Sequence, residues 1–75
     1  MAELKYEIRR HLAVLNRNER TGWTKEANVV AWNDGAEKLD IRDWNPDHSK
    51  MSRGVTLSED EARILSKALI EVLGR

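Results

Sequence analysis

Seventy-five residues without a cysteine leave room for one domain with a small core and no disulfide to support it. Thirteen basic and thirteen acidic side chains cancel to a formal net charge of zero, which excludes a protein that coats duplex DNA by charge alone. The opening MAELKYEIRRHLAVL scatters charges among its apolar residues, so neither a signal peptide nor a membrane span is read there, and a cytoplasmic protein is expected, nucleoid-associated if bacterial.

No clustered metal ligands and no cofactor motif are found, so self-association is the remaining support and a homodimer is expected. From Lys5 to Leu15, Tyr6, Ile8, Leu12 and Val14 fall on one parity and Glu7, Arg9 and His11 on the other, the period of a half-buried strand broken only by Arg10. Tyr6 is assigned to the core, and Arg9 with His11 to the outward face. NRNERTG, residues 16–22, has turn composition and leads to a second strand, residues 23–32, in which Trp23 falls on the apolar parity as core or dimer interface. Asn33-Asp34-Gly35 tolerates positive φ and marks a hairpin into a third strand, residues 38–44.

Loop parity decides which residues of that hairpin share a face. An odd loop gathers Ala27, Val29, Ala31, Leu39 and Ile41 into one apolar face and leaves Val30, Trp32, Lys38, Asp40, Arg42 and Trp44 on the other. An even loop splits Val29 from Ile41, so the odd register is favoured and the second face is expected to be open. Asn45-Pro46 ends regular pairing, and MSRGVTL, residues 51–57, reads as a fourth strand. Ser58 and Glu61 form a capping box for a helix at about residues 59–73, with Gly74 as its stop. Ala62, Leu65, Leu69 and Leu73 make one helical stripe, expected on the chain's own sheet; Ile64, Ala68 and Val72 make a second, expected at the dimer interface. The plan is a single α+β domain over residues 1–75, a four-stranded antiparallel curved sheet followed by one C-terminal helix.

Trp32 and Trp44 interleaved with Lys38 and Arg42 suit unpaired bases and their phosphates, because a base offers a π face to an indole whatever its identity. A partly covered core position is the commoner explanation of either tryptophan alone. Asp40, Asp43, Asp47 and His48 are the only acid and histidine cluster; Asp40 and Asp43 have opposite strand parity, and Asp47 with His48 sits in a turn, so no enzyme is expected.

The segment WNDGAEKLDIRDWNPDHSKMSRGVTLSEDEARIL resembles the transcriptional positive-cofactor-four family, and within it the small bacterial YdbC-like branch. The resemblance rests on the Gly-containing hairpin, the D-I-R-x-W stretch at Asp40 to Trp44, the loop with Pro46 and Asp47, and the run from Arg53 to Leu57; GWTKEANVVAW, residues 22–32, also looks like the bacterial branch. It implies four strands and a helix, dimerisation partly through the helices, and largely sequence-independent binding of single-stranded DNA. Carried onto this chain, the aromatic and basic contacts fall on Trp44, on Trp32 or its neighbours, and on Lys38 and Arg42, with Lys25 and Arg53 as further members and Arg9 as an extension of the basic track. The expected partners are single-stranded DNA, with RNA as the alternative strand, a second copy of the chain, and the transcription machinery. The competing readings are a protein-interaction module using the sheet face or edge, and a structural dimer without nucleic-acid affinity.

Overall fold

A computed structural model of the chain describes residues 5–74. The expected unit of 1–75 also takes in residues 1–4 and 75, which lie outside the described residues. Four strands, β1 (Tyr6–Arg17), β2 (Thr24–Trp32), β3 (Glu37–Trp44) and β4 (Val55–Leu57), form one antiparallel sheet in the order β1-β2-β3-β4, and α1 (Glu59–Leu73) follows. The fourth strand is shorter than the expected 51–57. Met51 makes only an isolated bridge to Trp44, and the chain up to Gly54 runs as a loop.

The β2–β3 hairpin has the odd register. Thr24 stands opposite Trp44, and the last pair, Ala31 with Glu37, encloses residues 32–36. The turn is tight: the Gly35 amide donates to the Trp32 carbonyl at 2.8 Å, and Asn33 and Asp34 take the positive φ that such a two-residue turn needs. Trp32, Lys38, Arg42 and Trp44 therefore share a face, called here the tryptophan face. Ala27, Val29, Ala31, Leu39 and Ile41 share the other, the aliphatic face.

Strand β1 departs from simple alternation. Its 12 residues pair along the 9 of β2, and the three extra residues enter as register shifts between Ile8 and Arg10, His11 and Ala13, and Val14 and Asn16. Tyr6, Ile8, His11, Val14 and Arg17 consequently stand opposite Trp32, Val30, Asn28, Glu26 and Thr24, all on the tryptophan face. The expected grouping of His11 with Arg9 is corrected by these bulges, which also bend and twist a strand.

The burial of the two faces is the reverse of that expected. Val30, Trp44, Asn28 and Asp40 are fully buried, and Glu26 and Thr24 nearly so, all on the tryptophan face; among the described residues of the aliphatic face only Ala31 is buried. The cover is aromatic. The Tyr6 ring lies 5.3 Å from Trp44 and 6.0 Å from Trp32, and His48, from the loop after β3, lies 5.5 Å from Trp44 on centroids. The Tyr6 hydroxyl ties that loop down by donating to the His48 carbonyl at 2.7 Å. Trp23 is half-buried, as is Tyr6.

Helix α1 begins with the capping box: Ser58 Oγ accepts from the Glu61 amide at 3.2 Å, and Glu61 Oε1 accepts from the Ser58 amide at 2.8 Å. It ends at Gly74, whose φ of 83° is the left-handed cap conformation that glycine adopts without a Cβ penalty. Among the described residues the helix makes its main contacts with β3 and β4, and it buries none of its own side chains. Packing of the first stripe along the sheet is thus corrected: Ala62 is half-buried, but Leu65, Leu69 and Leu73 are exposed, Leu73 at 73 %. The three-residue β4 is too short to support a 15-residue helix along its length. The radius of gyration, 13.6 Å, exceeds the roughly 11 Å of a compact chain of this size.

Candidate nucleic-acid interface

The D-I-R stretch puts Asp40 and Arg42 two residues apart on β3, hence side by side on the tryptophan face. Asp40 is fully buried, and an ionised carboxylate there requires a partner. Arg42 supplies it in a fork, Nε donating to Oδ2 at 2.8 Å and Nη2 to Oδ1 at 2.7 Å, while Thr56 Oγ1 adds a third bond at 3.3 Å. Arg42 Nη1 also donates to the Ser52 carbonyl at 3.3 Å. With its position fixed in this way, the guanidinium lies 4.6 Å over the Trp32 ring centroid, a cation–π contact. Gly54 makes room for this arrangement: a Cβ there would come within 2.4 Å of Arg42 Cβ and 2.5 Å of the Ile41 carbonyl oxygen.

Lys38 stands opposite Val30 on the same face, exposed and without an ion pair among the described residues. Trp32 is half-buried, with one end of the ring against Tyr6. Trp44 shares the face but is 0 % exposed, so the expectation of a solvent-facing indole at this position is corrected: Tyr6, His48 and the loop after β3 cover it. The remaining sequence candidates lie apart. Lys25 is exposed opposite Asn16 and Asp43, in the aliphatic-face register. Arg9, at a bulge, is held by Glu7 at 3.0 Å and Glu37 at 3.3 Å, the two residues that flank Ala31 across the sheet. Arg53 is exposed in the loop before β4, and Ile64, Ala68 and Val72 are exposed on α1.

A polar cluster that the sequence reading passed over lies further along the same face. Glu26 accepts from Thr24 Oγ1, from Asn28 Nδ2 at 3.2 Å, and from His48 Nε2 at 2.9 and 3.1 Å. Desolvation by burial works against its charge, but these hydrogen bonds and the nearby His48 charge outweigh it and hold the carboxyl below its ordinary range. Because the Asn28 amide N–H groups serve the carboxylate, its oxygen faces His11, whose Nδ1 lies 2.8 Å away. The available signal was Thr24, Glu26 and Asn28 recurring at every second position of a strand; for His11 there was none, since bulges carry no marker in this stretch.

No helix is long and apolar enough to cross a membrane among the described residues. The chain is 42 % identical over 59 residues to an uncharacterized protein of Treponema pallidum (strain Nichols), an alignment covering 79 % of this chain and 68 % of that protein. The family model of Transcriptional Coactivator p15 (PC4) matches residues 20–68, from the turn before β2 to the middle of α1. Carrying the hairpin, the Asp40–Arg42 fork and the glycine that accommodates it within that span, the chain belongs to the Transcriptional Coactivator p15 (PC4) family.

Proposed function

We propose that this chain binds single-stranded DNA, without sequence preference as its main mode, across the tryptophan face of a homodimer, in transcription or a related DNA transaction. The observation that carries the reading is the Arg42 guanidinium, locked by buried Asp40 over the Trp32 ring on the same face as exposed Lys38. Its flat, pre-ordered stack suits a base, and base–aromatic stacking contributes roughly 1–3 kcal/mol per base. Lys38 supplies the phosphate contact, with a salt slope of about 0.7 per contact on a single strand. Trp44 acts from beneath, as the support of the face. Family membership supports the same reading.

The dimer is supported by α1, whose Ile64 and Val72 are 70 % and 79 % exposed. A helix of 15 residues is marginal alone, and a second copy covering those side chains would stabilise it. Binding of a polypeptide by strand addition is less well supported, because the bulges of β1 break the even spacing that a paired strand needs. Titration with a thymidine oligonucleotide at two salt concentrations, followed by tryptophan fluorescence, tests the proposal. Quenching that weakens with salt is expected; no quenching, or equal quenching by a duplex of the same length, overturns it.

A further inference from the structure

A groove of about 350 Å³ opens on the tryptophan face between β1 and the loop after β3, lined by Ile8, His11, Val14, Glu26, Asn28 and His48. It falls within the size range of small-molecule sites, roughly 300–1,000 Å³, and combines aliphatic walls with a few fixed polar groups, as such sites do. Glu26 lies six residues along β2 from Trp32, about 20 Å at strand rise, so the groove continues the proposed binding face at its other end.

Hydrogen bonding fixes what the groove presents. The Glu26 carboxylate can only accept, so His48 Nε2 carries a proton toward it. The Asn28 oxygen can only accept, so His11 Nδ1 carries a proton toward that. In a neutral imidazole the second nitrogen is then a lone pair, and Nε2 of His11, whose side chain is 52 % exposed, is available as an acceptor. The His48 ring is itself 39 % exposed and rests on Trp44. Two oriented imidazole rings line the groove together with Ile8 and Val14, and offer stacking surfaces with an acceptor edge.

We infer that this groove is a second base subsite, which takes a nucleobase with an exocyclic amine, cytosine or adenine, in preference to thymine. Cytosine and adenine present amine protons where thymine presents a carbonyl oxygen, and an acceptor nitrogen discriminates between the two. The inference rests on the proposed single-strand binding and adds a base preference to it.

Paired titrations with ten-residue oligocytidine and oligothymidine deoxynucleotides at pH 8 test it, alongside NMR of the histidine ring C–H signals. Cytidine is expected to bind about threefold to tenfold more tightly, the range of one hydrogen bond, with the His11 and His48 signals shifting. His11→Phe keeps a flat ring and loses the acceptor, so it is expected to bring the ratio near one; because it also gives up the bond to buried Asn28, its fold is checked in the same way as that of the alanine variant. His11→Ala, checked for folding by near-ultraviolet circular dichroism, is expected to lose the ratio and weaken both. Equal binding of the two oligonucleotides by the unaltered protein, a ratio untouched by either variant, or unmoved histidine signals would overturn the subsite and leave single-strand binding standing. Failure to bind either oligonucleotide overturns both.

Discussion

The tryptophan face and helix α1 invert each other's chemistry. The face buries Glu26, Asn28 and Asp40 inside the chain, while the helix leaves Ile64, Ile70, Val72 and Leu73 in solvent. On the face, every buried charge has a partner: Asp40 has Arg42 and Thr56, and Glu26 has Thr24, Asn28 and His48. The helix has caps but no cover. One region therefore draws its order from contacts within the chain, while the other leaves its apolar side chains uncovered by the described residues, so that the proposed binding surface and the proposed dimer contact fall on separate elements.

Breaking the face should have the largest effect. Trp44→Ala removes the fully buried indole against which Tyr6 and His48 rest, and is expected to cost about 3–5 kcal/mol, read as a lower urea midpoint with loss of near-ultraviolet circular dichroism. A smaller loss, about 1–3 kcal/mol, is expected for Gly54→Ala, because the new Cβ must displace Arg42 or the Ile41 carbonyl; oligonucleotide binding should weaken along with stability. On the helix the opposite signature is expected. Val72→Glu should shift sedimentation from dimer to monomer while the near-ultraviolet signal of the sheet persists, and loss of that signal would show that the two regions are not separate.

Acid sharpens the comparison from another side. The Glu26 carboxyl is held below its unfolded value, so its contribution to stability is present above that value and is lost as pH falls through the folded one. Urea midpoints should therefore decline below about pH 4.5, and Glu26→Gln should flatten that decline at the cost of stability at neutral pH. The smallest effect belongs to Lys38→Ala, with stability unchanged within about 0.5 kcal/mol and the salt slope of oligonucleotide binding reduced by about 0.7.

Elements governed by local chemistry were legible in the sequence. The Ser58–Glu61 box and Gly74 bound α1 at Glu59–Leu73, and turn parity at Asn33 and Asp34 placed Trp32, Lys38, Arg42 and Trp44 together. What could not be read was which face the chain buries. Strand patterning assigns a polar residue to solvent, yet Thr24, Glu26 and Asn28 satisfy one another and so can be covered. The bulges of β1 were hidden for a related reason: Tyr6–Arg17 contains neither glycine nor proline, and the one shift of register between Ile8 and Arg10 is enough to carry His11 onto the face opposite to that which simple alternation gives. Of the proposed site, the Asp40–Arg42 pairing follows from strand spacing, whereas its stacking over Trp32 depends on the space left by Gly54.

The out-of-step pairing of β1 also bears on solubility. A sheet edge is a template for another chain when its amides and carbonyls are evenly spaced, and repeated bulges remove that spacing. Although β1 exposes Leu12, Val14 and Leu15, a second sheet cannot extend it in register over its length. Edge-to-edge growth into fibres is thereby disfavoured on that side.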